Sequence, residues 1–158
     1  MAQTKTNVMR ILEQKKVPYQ AHSYPHGKEL VDGMTVARLL GQDPRQVYKT
    51  LVAYGHSKNH YVFVIPVEST LDLKKAAKAA GDKKIEMTHV KELLGLTGYI
   101  RGGCSPVGMK KKYPTWIDET AMLYDEIAVS AGVRGAQIII NPEALKTFTE
   151  AVYADVTQ

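Results

Sequence analysis

Cysteine is almost absent from this 158-residue chain, with Cys104 the single one. No internal disulfide can form, and no Cys/His cluster stands at zinc-ligand spacing, so the expectation is a protein of a reducing compartment that carries no metal and no cofactor. Long hydrophobic runs are missing too. No segment approaches the ~18 apolar residues of a membrane-spanning helix, and the N-terminal stretch MAQTKTNVMRILEQKK has charges every few residues and no apolar stretch of signal-peptide length. These absences argue against a membrane-embedded helical protein and point to the cytoplasm. Repeats, linkers and low-complexity segments are lacking as well, and a chain of this length buries roughly two thirds of its unfolded surface as one domain. A single domain over residues 1–158 is therefore expected.

What is present is a moderate basic excess, 21 Lys and Arg against 16 Asp and Glu, for a formal net charge of +5. It is clustered at Lys74, Lys75, Lys78, Lys83 and Lys84, and again at Lys110–Lys112. Such clusters fit either a solvated face or a surface that meets phosphates.

The hydrophobic pattern alternates between helical and extended periods. Thr6 precedes Val8, Ile11, Leu12 and Lys15 at helical spacing, and Pro18 stops that helix. A strand is expected at Tyr19–Tyr24, a loop at Pro25–Gly33, a short helix at Thr35–Leu40 closed by Gly41, and a second cap-and-proline start at Asp43-Pro44. Val47–Tyr54 and Tyr61–Val67 are rich in β-branched and aromatic residues, and the polar stretch Gly55–Asn59 joins them as a hairpin. Beyond them lie an amphipathic helix at Leu71–Ala80 ended by Gly81, a short strand at Ile85–Met87, and a helix capped by Thr88 that runs to about Leu94. Further strands are expected near Thr115–Asp118, Ile127–Val129 and Gln137–Ile140, with a last helix after Asn141-Pro142. Hairpin-linked strands outnumber helices, so the fold class is α+β: a mixed, largely antiparallel sheet or barrel surrounded by helices.

Two places stand out chemically. In Gly98–Lys112, GYIRGGCSPVGMKKK, the adjacent Gly102 and Gly103 lack a Cβ, so their N–H groups can turn outward as a small nest for a phosphate or a developing oxyanion. Ser105-Pro106 stiffens the far side. The same residues also make an ordinary strand-ending turn, and local chemistry leaves both readings open. The second place is Lys49. In VYKTLVAY a period of two puts Val47, Lys49 and Leu51 on one face and Thr50 on the other. A cation between apolar neighbours is either an edge-strand lysine reaching water or a cleft lysine that holds a phosphate or carboxylate.

VYKTL (Val47–Leu51), LDLKKAAKAAGDKKIEM (Leu71–Met87), TGYIRGGCSPVGMKKKYPTWID (Thr97–Asp118) and VSAGVRG (Val129–Gly135) occur in this order and at these separations. Together they resemble the YbaK/EbsC family of Cys-tRNA(Pro)/Cys-tRNA(Cys) deacylases, relatives of the editing insertion domain of bacterial prolyl-tRNA synthetase. The resemblance runs from about Thr6 to about Ala154. It implies that Lys49, followed by Thr50, holds the aminoacyl-tRNA terminus, and that the Gly102-to-Pro106 loop turns backbone N–H groups, those of Gly102 and Gly103, to the scissile ester carbonyl. It also implies substrate-binding roles for Tyr24 in HSYPHG and Ser130 in VSAGVRG. Relatives commonly carry an acidic residue in a GLDIEL-like strand, whereas GAQIII places Gln137 there.

Hydrolysis of an aminoacyl ester calls for a nucleophile, a base and an oxyanion site, and the sequence offers a candidate for the last only. The resemblance implies that the substrate supplies the first: a cysteinyl thiolate attacks its own ester carbonyl, expels the 3′-terminal ribose and leaves a thiolactone that water opens. Serine or alanine on the tRNA would bind and react poorly. Cys104 as a catalytic thiol is the competing reading, although relatives reading GGISP have an apolar residue there. His22, His26, His56, His60 and His89 are scattered and are expected on the surface. Tyr19 or Tyr24 is placed to stack on the terminal adenine. Lys110 and Lys111, beside the glycine loop, are expected on acceptor-stem phosphates, and prolyl-tRNA synthetase is the partner that the family implies. The rival functions are a same-fold deacylase for Ala-tRNA(Pro) and a non-catalytic module that binds tRNA or a synthetase.

Overall fold

The computed structural model describes residues 5–25 and 32–158. Helix α1 (Asn7–Gln14) starts at Thr6, whose hydroxyl accepts the Met9 N–H at 3.3 Å, and it buries Val8, Met9 and Leu12. Strand β1 (Gln20–Ser23) follows. Of the loop expected at Pro25–Gly33, residues 26–31, and with them His26, lie outside the described residues. Asp32 caps α2 (Gly33–Leu39), its carboxylate accepting the Thr35 N–H at 2.8 Å. Asp43-Pro44 opens only one 3₁₀ turn, Pro44–Gln46.

Strands β2 (Tyr48–Gly55) and β3 (His60–Pro66) form the expected hairpin, in register from Tyr48 opposite Pro66 to Tyr54 opposite His60. Almost all of β3 is buried, as a continuous apolar run requires of a strand covered on both faces. Asp72 caps α3 (Leu73–Ala80), and Gly81 at φ +70° ends it. Strand β4 (Ile85–Met87) pairs with the far end of β2. The next helix departs from expectation. Thr88 is not its cap, because the Thr88 N–H still bonds the Val52 carbonyl at 3.1 Å and extends the strand pairing. Helix α4 (Val90–Thr97) starts one residue later at His89 and runs past Leu94 until Gly98 turns left-handed at φ +85°.

Strands β5 (Thr115–Asp118), β6 (Ile127–Ser130) and β7 (Ala136–Ile140) lead into α5 (Pro142–Thr149), capped by Asn141. A further strand, β8 (Val152–Ala154), ends the order. The strands build a three-stranded sheet, β1-β7-β6, and a five-stranded sheet, β4-β2-β3-β5-β8. Pairing is antiparallel except at β3–β5 and β5–β8. This is the mixed α+β architecture expected. The sheets meet at a parallel bridge between Val47 and Ala128, and Val62, Val64 and Ile117 of one sheet pack with Val129, Ile138 and Ile140 of the other over Val8 and Leu12 of α1. On the opposite face of the larger sheet, Phe63, Ile65 and Ile85 bury against Ala76 of α3. Strand β4 covers only Ala53–Gly55 of β2, so the edge near Lys49–Leu51 stays open on that side.

Candidate active site

A cavity of about 350 Å³ opens at the start of β2, between α2, the β6 and β7 strands and the loop after α4. Five of the expected residues line it together: Tyr24, Lys49, Thr50, Gly102 and Ser130. Gly103 and Pro106 are buried behind the lining, while Lys110 and Lys111 are exposed and away from it.

Lys49 is half-buried beside the apolar Val47, Leu51 and Val67. Its Nζ reaches only the Val67 carbonyl, at 3.5 Å, and it pairs with no carboxylate among the described residues. Burial holds its pKa below the ordinary lysine value. Lys49 stands on the open edge of β2 and on the cavity lining at once, a cation in the cleft without a counter-ion among the described residues. Thr50 was expected to face away, yet it lines the same cavity. Its Oγ1 is buried and has no hydrogen-bond partner among the described residues.

The glycine loop differs from expectation in which amides it presents. The Gly103 N–H donates to the Ile100 carbonyl at 3.0 Å, so it is spent on the turn and cannot also serve an oxyanion. Gly102, at φ +89°, and Cys104 both line the cavity, and their amides donate to no group among the described residues. Gly103 has a second role in packing: a Cβ there would lie 3.1 Å from the Val133 Cα and carbonyl carbon and 3.2 Å from the Arg134 nitrogen. The glycine loop and the VSAGVRG turn are thus pressed backbone to backbone, and the Arg134 Nε donates to the Arg101 carbonyl at 2.8 Å to hold them. Ser130 Oγ accepts the Gly132 N–H at 3.1 Å, which leaves its hydroxyl proton for the cavity. Ser105 and Pro106 serve as stiffeners: Ser105 Oγ accepts the Val107 N–H at 3.2 Å, and the Tyr99 hydroxyl donates to the Val107 carbonyl at 2.5 Å.

Cys104 is 7% exposed, and burial pushes its thiol up to about 12. Such a thiol is protonated at neutral pH and is no nucleophile. Gln137, 3% exposed, lines the cavity, and its Oε1 accepts from the Nε2 of Gln42, a partner that sequence reading missed. Asp32, Met34, Val36 and Arg101 on the lining were missed as well. Asp32 is the only carboxylate there among the described residues, and the Thr35 amide it accepts from holds its pKa below the ordinary value. The helix-start pattern of VDGMT is the signal that could have marked it, but its place on the cavity is not written in local sequence.

A profile of the aminoacyl-tRNA editing domain matches residues 30–148. The chain belongs to the aminoacyl-tRNA editing domain family. It is similar to EbsC of Enterococcus faecalis, a protein named as a Cys-tRNA(Pro)/Cys-tRNA(Cys) deacylase, with 48% identity over 98% of this chain and 94% of that protein. A crystal structure assigned to a trans-editing enzyme for prolyl-tRNA synthetase superimposes with a TM-score of 0.83 at 25% identity, over 99% of both chains. A scaffold protein used for epitope backbone grafting superimposes with a TM-score of 0.85 at 26% identity, over 96% of this chain and 94% of that one. The cavity lining brings together backbone amides, a lysine and the Thr50 and Ser130 hydroxyls. Among the described residues no group of three metal-ligating side chains forms, and no helix is long and apolar enough to cross a membrane.

Proposed function

We propose that the chain, working as one domain over residues 1–158, is a trans-editing deacylase that removes cysteine from mischarged Cys-tRNA(Pro), and from Cys-tRNA(Cys), with the substrate thiol as nucleophile. The observation that carries this reading is the composition of the cavity. It holds a desolvated lysine and two free loop amides, and among the described residues it has no histidine and no ionised thiol. Such a site can bind and polarise an ester, but among the described residues it has neither a thiolate to attack it nor a histidine to activate the Thr50 and Ser130 hydroxyls.

In the reaction, the cysteinyl Sγ bonds to its own carbonyl carbon, and the bond to the ribose oxygen breaks. The thiol proton ends on the departing ribose, and water later opens the thiolactone. The Gly102 and Cys104 amides stabilise the oxyanion, one such donor being worth roughly 3 kcal/mol. Lys49 holds the phosphate of the terminal nucleotide as a point charge, Asp32 faces the α-ammonium, and Tyr24, Thr50 and Ser130 fix the aminoacyl end. Holding the thiol against the carbonyl supplies several kcal/mol more. Editing takes place in the cytoplasm, where tRNA is charged, and prolyl-tRNA synthetase is the partner that provides tRNA selection. The relationship to EbsC and to the trans-editing structure supports this choice of substrate and partner.

The test is loss of the aminoacyl ester from Cys-tRNA(Pro) and Ser-tRNA with wild type and Lys49→Ala. Rapid loss of the cysteinyl ester alone, abolished in the variant, is expected. Inertness toward both substrates would leave a binding module instead.

A further inference from the structure

Lys49 borders a second cavity. This groove, of about 590 Å³, shares Lys49 and Leu51 with the first, so the two adjoin at the open edge of β2. Its apolar wall is Leu51, Leu73 and Met87, the last two 41% and 40% exposed, and Lys74 stands on its lining. Asp72 also lines it, but that carboxylate is committed to the Lys74 and Lys75 amides, at 3.0 Å each. Lys75 is tied to Asp155 at 3.1 Å and to the Thr157 carbonyl at 2.8 Å, whereas Lys74 and its helix neighbour Lys78 pair with no carboxylate among the described residues.

We infer that this groove holds the nucleotides preceding the esterified adenosine of the tRNA 3′ end, with a base against Leu73 and Met87 and a phosphate at Lys74. The inference rests on the deacylase reading, which puts the ester in the first cavity and the ribose beside Lys49. From there the strand has to leave, and the groove lies on the other side of that same lysine. Its chemistry suits single-stranded RNA: an apolar wall takes the face of any base, and unpaired ammonium groups take the backbone. Lys110 and Lys111, expected on acceptor-stem phosphates, line neither cavity. In this arrangement the single-stranded 3′ end runs toward α3.

Two substrates separate the claims: Cys-tRNA(Pro), and the cysteinyl ester of adenosine, which fills the first cavity only. Met87→Glu and Lys74→Glu are expected to lower kcat/KM on Cys-tRNA(Pro) about tenfold each, as loss of one base or phosphate contact would, and to leave the adenosine ester unaffected. Unchanged turnover of both substrates, or an equal loss on both, overturns the inference. A second arm titrates wild type with the uncharged trinucleotide CCA and follows the Leu73 and Met87 methyl resonances. If wild type is inert toward both esters, the deacylase reading fails. Shifts at those methyls then still uphold the groove as a nucleotide site, and their absence overturns it.

Discussion

Replacing Gly103 by alanine tests how the two loops of the site are held. The added Cβ would sit 3.1 Å from the Val133 Cα and carbonyl carbon and 3.2 Å from the Arg134 nitrogen, all backbone atoms with no rotamer to swing away. Relief requires the glycine loop and the VSAGVRG turn to part by a few tenths of an ångström. Overpacking of this kind costs about 1–3 kcal/mol, and the small overlap places the variant near the lower end. The displaced segments carry the Gly102 and Cys104 amides on one side and Ser130 on the other, all on the cavity lining. A shift that weakens one oxyanion contact by half removes about 1.4 kcal/mol of transition-state stabilisation, a tenfold fall in kcat. Gly81→Ala is the control: at φ +70° it forces a left-handed alanine, at about 1–2 kcal/mol, with nothing within 4 Å and no part in the cavity. Urea unfolding and single-turnover deacylation of Cys-tRNA(Pro) should show both variants destabilised and only Gly103→Ala slowed. Full kcat in Gly103→Ala at an equal loss of stability would refute the reasoning.

Lys49→Met should lower kcat/KM by about ten- to a hundredfold, the worth of a charged hydrogen bond, and should unfold at a higher urea concentration than wild type at neutral pH. Burial depresses the Lys49 pKa in the folded state, so between that value and the ordinary lysine value the unfolded chain binds more protons, and wild-type stability gains there as pH rises; the methionine variant should lack that gain. Cys104→Ala should keep deacylase activity within about twofold, and iodoacetamide at neutral pH should leave wild type active, because the thiol sits at about 12. KM for Cys-tRNA(Pro) should rise with salt with a logarithmic slope of about 0.7–0.9 per phosphate contacted, and Lys74→Glu should reduce that slope.

Local chemistry made much of the fold legible. The β2–β3 hairpin followed from β-branched runs around a polar loop, and α3 from its apolar spacing and Gly81, because these signals need no distant partner. Strand β8 was not legible: its three residues owe their extended form to parallel pairing with β5, more than thirty residues upstream in the chain. Thr88 misled for a similar reason, since its amide serves the sheet through Val52. At the site, the period of two exposed the tension at Lys49, and the adjacent glycines marked the loop. Which amide remains free depends on the Ile100–Gly103 turn, and the reason for Gly103 lies in the Val133 backbone; neither is written in local sequence. The Gln42–Gln137 pair joins residues 95 positions apart.

The central claim is that the substrate thiol, not a protein group, attacks the ester. Alanine differs from cysteine only by lacking that thiol and fits wherever cysteine fits, so the decisive measurement is kcat at saturation on Cys-tRNA(Pro) and Ala-tRNA(Pro) with the wild-type protein. The account predicts rapid turnover of the cysteinyl ester and an alanyl ester that binds but persists. Comparable kcat for the two would contradict it and make water, positioned by the protein, the nucleophile.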